Sequence, residues 1–116
     1  MQEHLIPLGN AVLDLRQRAV FFSEKKIQLT TMEFLLIQRL ASQFRTPVSR
    51  DEISLCLYGS EWDGMNRAVD VNVARLRRKL RQNTREYLDI RPVRNIGYYL
   101  IEDTRPEDFA VTSAVC

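Results

Sequence analysis

The stretch that decides the fold is RAVDVNVARLRRKL, residues 67–80. At about 100° per residue, one stripe of this segment is apolar. It consists of Val69, Val73, Leu76 and Leu80. The opposite side mixes arginines with short apolar residues, namely Arg67, Val71, Ala74, Arg75 and Arg78. The segment contains neither glycine nor proline, and Asp70 lies near its start, where the helix dipole favours a negative charge. The pattern predicts a helix with one core face and one basic face.

The positive charge of the chain is concentrated around this helix. Residues 67–94 hold nine Lys or Arg against three acids, whereas the whole 116-residue chain has a net charge of only +2. A patch of this kind is typical of nucleic-acid binders, and short side chains between arginines let a helix approach a DNA groove wall. Charge alone, however, favours an ordinary solvated helix face.

Composition indicates one soluble globular domain, with 45% hydrophobic and 28% charged residues. No apolar run approaches the roughly 20 residues of a membrane span, and MQEHLIPL does not resemble a signal peptide. We therefore expect a cytoplasmic protein that does not bind membranes. The only cysteines are Cys56 and Cys116, and His4 is the only histidine. We expect no disulfide framework, no metal site and no cofactor.

Before the basic helix, the chain predicts a small sheet and two helices. Short alternating runs punctuated by polar turns indicate three or four antiparallel strands in the first 30 residues. Thr30 and Glu33 form a capping box that opens a core helix, which we expect to end at Arg45, Thr46 and Pro47.

A second capping box, Ser49 with Glu52, opens a shorter helix that runs to about Tyr58. Its predicted buried stripe is Ile53, Cys56 and Leu57, and Gly59 is placed to terminate it. Residues 60–66, SEWDGMN, contain Gly64 and no periodicity and then read as a loop leading into the basic helix. Two consecutive helices of which the second is basic indicate a helix-turn-helix with a long turn.

After the basic helix, residues 87–94 and 97–101 read as two strands of a hairpin. Asn95 and Gly97 tolerate the positive φ of a tight turn. Arg91 and Arg94 place positive charge on this wing, where it can meet a minor groove or phosphates. Residues 102–116 are acidic and aperiodic, and we expect them to be a flexible tail following a domain at 1–101.

Three strings together carry a family resemblance: LTTMEFLLIQRLASQFRTPVSRDEI, RAVDVNVARLRRKL and VRNIGYYL. They resemble the effector domain of OmpR/PhoB-type response regulators of bacterial two-component systems, and the resemblance extends from about Leu5 to Ile101. It implies an α+β winged helix-turn-helix: an N-terminal four-stranded antiparallel sheet, three helices and a C-terminal hairpin wing. It also implies binding to double-stranded promoter DNA, with helix 67–81 in the major groove and wing 87–101 at the minor groove.

The resemblance implies particular contacts as well. Matching DNA-contact positions are Arg67, Asn72, Arg75, Arg77, Arg94 and Tyr98. The loop matches a surface that touches RNA polymerase, including Tyr58, Glu61, Trp62 and Asp63. Ala74 replaces a basic residue found in relatives, so their base preference does not transfer. In the family, the effector domain pairs on direct-repeat DNA after phosphorylation of a receiver domain, and we therefore expect a monomer in isolation.

Side-chain chemistry divides the basic residues by role. Arg75 and Arg78 point most directly outward, and Arg75 is the first choice for reading a guanine edge. We expect Arg67, Arg77 and Arg81 to be phosphate clamps, although an intrahelical pairing of Arg77 with Asp70 is the alternative.

The sequence leaves two roles open for each of two further residues. Asn72 either contacts DNA or makes a structural hydrogen bond, because it borders the buried stripe. Trp62 is either a partner anchor or a lid on the local core.

Other functions are less well supported. A winged helix acting mainly as a protein-interaction module, with only non-specific DNA binding, is the main alternative. An enzyme is not indicated, since the sequence has no nucleophile elbow, phosphate-binding glycine loop or metal cluster. The residues leave open whether the chain is an excised effector domain or a stand-alone regulator.

Overall fold

The fold was analysed in a computed structural model, which describes residues 4–65 and 67–103. The elements in chain order are β1 (Leu5–Leu8), β2 (Ala11–Asp14), β3 (Ala19–Phe22), β4 (Lys25–Gln28), α1 (Thr31–Ala41), β5 (Val48–Ser49), α2 (Arg50–Tyr58), α3 (Ala68–Asn83), β6 (Leu88–Val93) and β7 (Gly97–Glu102). β1 to β4 form an antiparallel sheet in sequence order, and β5, β7 and β6 form a second one. The predicted winged helix-turn-helix is confirmed.

Both predicted capping boxes are present. In the first, the Glu33 N–H donates to Thr30 Oγ1 at 3.2 Å, and the Thr30 N–H donates to Glu33 Oε1 at 2.9 Å. Lys79 Nζ also reaches Glu33 Oε1, at 2.6 Å, and so ties α3 to the start of α1. Burial opposes the charged form of Glu33, but hydrogen bonds from Lys79 and from the Thr30 backbone outweigh it and hold the pKa of this carboxyl below its ordinary value.

The first helix ends earlier than predicted. It stops at Ala41 rather than near Pro47, and a tight turn follows. Arg45 adopts a positive φ of 70°, and its N–H donates to Leu100 O at 2.8 Å. This bond to the wing directs the chain into β5, a strand the sequence did not predict. β5 pairs with β7 through Val48 opposite Tyr98.

The buried stripe of α3 lies at the centre of the core. Its members Val69, Val73, Leu76 and Leu80 are all buried, as the periodicity predicts. They belong to one cluster with apolar residues of α1, of the wing and of the N-terminal sheet. The helix spacing that defined the core face therefore also fixes which side of α3 remains outside.

In α2 the predicted buried stripe is partly wrong. Ile53 is buried, but Cys56 is exposed and Leu57 only half-buried. Ser54 is buried instead, because its hydroxyl donates to Ser60 O at 2.6 Å, just after Gly59 ends the helix with a φ of +77°. A polar side chain satisfied in this way can face the interior, which apolar periodicity does not reveal.

The third helix is longer than predicted and ends at Asn83 rather than at residue 80 or 81. The next residue, Thr84, is buried; its hydroxyl donates to Leu80 O at 2.7 Å and accepts from the Leu88 N–H at 3.0 Å. The Thr84 side chain thus joins the last turn of α3 to the first residue of β6.

The final strand passes the predicted boundary by one residue. Glu102 lies in β7, opposite Leu88, and forms an ion pair with Arg45. Of the predicted tail at 102–116, residues 104–116 lie outside the described residues, as do the loop residue Asn66 and residues 1–3. Within the described ranges, none of the helices combines the length and apolarity needed to cross a membrane.

Gly97 serves a different purpose from the one predicted. Asn95 has the positive φ of the wing turn, at 66°. At Gly97, an added Cβ would lie 2.0 Å from Val48 O, so the position needs a missing side chain rather than a left-handed backbone. Glycine here lets β5 pair closely with β7.

We predict that Gly97→Ala lowers the free energy of unfolding by about 2–3 kcal/mol, because the new methyl group would force β5 away from the wing. Gly59→Ala is the matched control. Its Cβ would meet nothing within 4 Å, so only the positive φ opposes it, at a cost of about 1 kcal/mol. Urea unfolding measures both variants, and equal losses would contradict the proposed close approach.

Candidate nucleic-acid interface

The outer face of α3 is formed by the residues that helical spacing placed there. All five are exposed: Arg67, Val71, Ala74, Arg75 and Arg78. Since the buried stripe fixes the rotation of α3, this basic face points away from the core from residue 67 to residue 78.

Ion pairing divides the basic residues between 67 and 94 into two groups. Four have carboxylate partners: Arg77 with Asp89, Arg81 with Glu86, Lys79 with Glu33 and Arg91 with Asp89. Among the residues the structure describes, the other five have no carboxylate within salt-bridge distance: Arg67, Arg75, Arg78, Arg85 and Arg94. The unpaired group includes all three arginines of the outer face.

Arg77 pairs outside its own helix. Its Nε donates to Asp89 Oδ1 at 3.0 Å, and Asp89 is buried in β6. The intrahelical partner considered from the helical wheel, Asp70, is engaged elsewhere, so that pairing is not formed. Arg77 therefore fastens the middle of α3 to the first wing strand.

Asn72 makes structural hydrogen bonds. Its amide donates to Ala68 O at 3.0 Å and to the Tyr58 hydroxyl at 2.5 Å. The first bond lies within α3, and the second links α3 to the last residue of α2. Of the two roles left open by the sequence, the structure displays the structural one.

A cluster around Arg50 joins four parts of the domain. Arg50 Nε donates to Asp70 Oδ1 at 3.1 Å, and Nη2 donates to the Tyr98 hydroxyl at 3.3 Å. The guanidinium carbon lies 5.0 Å from the ring centroid of Tyr98 and 5.5 Å from that of Trp62. Arg50 thus contacts α3, the wing and the loop from the first turn of α2.

Tyr98 completes this cluster from the wing. Its hydroxyl donates to Asp70 while it accepts from Arg50. Burial raises the pKa of the Tyr98 phenol, and the hydrogen bond to the Asp70 carboxylate raises it further. A hydroxyl held in this way positions the wing against α3, and the DNA contact that the family resemblance implies for Tyr98 stays a prediction.

No sequence pattern indicated the role of Arg50. A basic residue in the first turn of a helix is usually exposed and disfavoured by the dipole. Its partners lie 20 and 48 residues along the chain, which no local pattern connects. Only the tertiary fold brings them together.

The loop before α3 lies over the Arg50 cluster. The Trp62 ring covers the Arg50 guanidinium, and the Trp62 N–H donates to Asp51 Oδ1 at 3.2 Å. This placement favours the lid role for Trp62. Glu61 and Asp63 are exposed beside it, and Tyr58 is exposed apart from its bond to Asn72.

One concave region lies beside the basic face, and another lies next to the wing turn. One, of about 410 Å³, lies beside Ala74 and is lined by Ala74, Arg77, Arg78, Arg81, Gln82 and Glu86. The other, of about 660 Å³, separates the start of α2 from the wing turn and is lined by Ser49, Arg50, Asp51, Trp62, Arg94, Asn95 and Ile96. Arg94 therefore stands at the far edge of the second cleft, on the wing turn. No group of three or more possible metal ligands occurs among residues 4–65 and 67–103.

The chain matches a protein family described as "Transcriptional regulatory protein, C terminal" over residues 24–100. A similar curated relative is the transcriptional regulatory protein RstA of Escherichia coli (strain K12), 38% identical over 90 residues, which cover 78% of this chain and 38% of RstA. The heme response regulator HssR of Staphylococcus haemolyticus is 31% identical over 99 residues, covering 85% of this chain and 44% of HssR. The chain thus spans less than half the length of these relatives.

The chain is also similar to solved structures of DNA-binding domains. The crystal structure of the Klebsiella pneumoniae RstA DNA-binding domain in complex with RstA box has a TM-score of 0.74 and 35% identity, covering 84% of this chain and 96% of that one. The DNA-binding domain of CpxR from E. coli has a TM-score of 0.71 and 26% identity, with the same coverages of 84% and 96%.

We predict that Tyr98→Phe lowers the free energy of unfolding by about 1–2 kcal/mol, because the Asp70 carboxylate loses a partly buried donor. Urea unfolding measures the loss. In the Asp70→Asn background the same change should cost less, since the two side chains share one interaction. Unaltered stability with weaker affinity for duplex DNA would instead make the Tyr98 hydroxyl a DNA contact.

Proposed function

This chain belongs to the family of C-terminal domains of transcriptional regulatory proteins, and from that membership and its basic face we propose that it is a sequence-specific, double-stranded DNA-binding domain of a bacterial transcription regulator. The proposal places α3 in the major groove and the β6–β7 wing at the neighbouring minor groove. The similar Klebsiella pneumoniae RstA DNA-binding domain, whose structure is a complex with RstA box, supports DNA binding as the function.

The observation that carries the proposal is the outer face of α3. Arg67, Arg75 and Arg78, which have no carboxylate partner among the described residues, lie on one side of this 16-residue helix. The side chains between them are short, so a ligand can approach the helix backbone there. An α-helix of this kind fits the B-DNA major groove, about 12 Å wide, with arginines reaching base edges. Unpaired guanidinium groups need no internal ion pair to be broken before they bind.

The proposed roles follow from where each arginine lies on α3 and from whether an ion pair already holds its guanidinium. Arg75 reads a guanine edge bidentately, Arg78 contacts a base or phosphate on the next turn, and Arg67 clamps a phosphate. Arg77 and Arg81 also contact phosphates, since a guanidinium has five donors and their ion pairs leave some of these unused.

The wing and the Arg50 cluster have supporting roles in this proposal. Arg94 contacts the phosphates beside the minor groove from the wing turn. Asn72 and Tyr98 act by positioning α3 and the wing, because their polar groups are bonded within the protein.

The rest of the regulator is inferred from the relatives. We propose that a receiver domain precedes this domain in a two-component response regulator, since the chain covers only 38% of RstA and 44% of HssR. The isolated domain is proposed to be a monomer that pairs on DNA, to act in the cytoplasm where promoter DNA lies, and to work by binding rather than catalysis. The loop residues Tyr58, Glu61, Trp62 and Asp63 are proposed to face RNA polymerase.

Selection from a random duplex library tests the DNA-reading function. The winning sequence and a scrambled control are then compared over a salt series. We expect an enriched motif, a steep salt dependence and a specific advantage of roughly 10³ or more. The absence of enrichment, with binding lost equally on all sequences as salt rises, would favour a protein-interaction module.

We predict that Arg75→Ala lowers affinity for the selected site more than tenfold while changing affinity for random DNA much less, because base contacts act only at the correct sequence. Fluorescence anisotropy with both duplexes measures the difference.

Two variants control for charge. Arg94→Ala should weaken binding to both duplexes alike, since a phosphate contact is independent of sequence. Arg16→Ala, in the exposed turn between β2 and β3, should change neither. An equal loss on both duplexes for Arg75→Ala would assign Arg75 to the phosphates.

A further inference from the structure

Two apolar side chains are exposed in the middle of the basic face. Val71 is 44% exposed, and Ala74, one turn further along α3, is also exposed. Residues three apart on a helix are surface neighbours, so the two side chains form one small apolar strip. Neither packs into the core cluster, which contains Val69 and Val73 from the same helix.

Charged groups surround this strip. Arg67 lies one turn before Val71, and Arg75 and Arg78 follow it on the same face, all without carboxylate partners among the described residues. Beside Ala74 the surface falls away into the concave region of about 410 Å³. A base-pair edge can therefore approach the helix backbone more closely here than beside the long arginines.

In a major groove such a strip has one apolar counterpart. The base edges present hydrogen-bond donors and acceptors and the flat C5–H of cytosine, and the only apolar group that projects from them is the C5-methyl of thymine. An apolar side chain pressed against a donor or acceptor leaves that group unsatisfied, whereas a methyl group loses nothing by the contact.

We propose that Val71 and Ala74 determine specificity by contacting the C5-methyl groups of thymines that lie next to the base read by Arg75. The inference rests on the proposed function and adds the class of base recognised: a target site with thymine beside guanine. Removing one contacted methyl should weaken binding about fourfold, the equivalent of one buried methylene.

Replacing thymine by deoxyuridine tests the contact without changing the protein, because it deletes only the methyl group. Each thymine of the selected site is replaced in turn, and affinity is measured for the wild type, Val71→Ala, Ala74→Arg and the control Leu55→Ala. Leu55 is an equally exposed apolar residue, 48% accessible, but lies on α2.

We expect about fourfold weaker binding of the wild type at one or two thymines. Val71→Ala should reduce this penalty at one thymine to less than twofold, Ala74→Arg should remove it at its neighbour, and Leu55→Ala should leave every penalty unchanged. Selection repeated with Ala74→Arg should no longer enrich thymine at that position.

Three results would overturn the assignment. Specific binding that tolerates deoxyuridine at every position would refute methyl recognition while leaving the DNA-reading function intact. A deoxyuridine penalty that neither variant reduces would mean that the methyl acts through DNA shape rather than through α3. A failure to select any site would remove the proposed function itself, and the two failures are therefore distinguishable.

Discussion

The guanidinium of Arg50 joins α3 to the wing, the two elements that the proposed function places against DNA. It contacts Asp70 on α3 and Tyr98 on the wing, while its backbone N–H donates to Ile96 O at 3.3 Å. The Arg50 and Asp70 side chains are only 22% and 34% exposed, so solvent and salt screen this pair less than a surface ion pair. In the proposed binding mode α3 and the wing enter different grooves of one duplex, so their relative placement limits how well either can bind. Arg50 helps to fix that placement, together with the Tyr98–Asp70 hydrogen bond and the Arg77–Asp89 ion pair.

What the sequence predicts well is what depends on neighbours within a few residues. Helical spacing identified the buried and exposed faces of α3, and the side chains of Thr30 and Ser49 located two helix starts, because capping and amphipathicity act within one or two turns. The end of α1, strand β5 and the partner of Arg77 were wrong or missing. Each depends on the wing, which lies about 50 residues further along the chain for Arg45 and Val48.

The same limit applies to the basic face. The sequence contains nine basic residues between 67 and 94, but it does not show which of them stabilise the domain and which are available to a ligand. Asp89 shows why: it is buried in β6 and accepts from Arg77, with Arg91 also nearby, so one carboxylate keeps two guanidinium groups close to the protein surface. Motif positions identify residue types, whereas hydrogen-bond partners decide whether a side chain is occupied.

Affinity and specificity place opposite demands on such a face. Unpaired arginines attract any phosphate backbone, so adding more of them raises binding to all sequences together. Discrimination requires short-range groups held at a fixed height above the base edges, and Val71 and Ala74 meet that requirement because they have little or no conformational freedom on a helix. Replacing either by a long basic side chain would add charge but raise the helix off the groove floor. A small residue at position 74 is therefore a means of selecting sequence, and the anchoring of α3 by Arg50, Arg77 and Asn72 is what makes so short a contact effective.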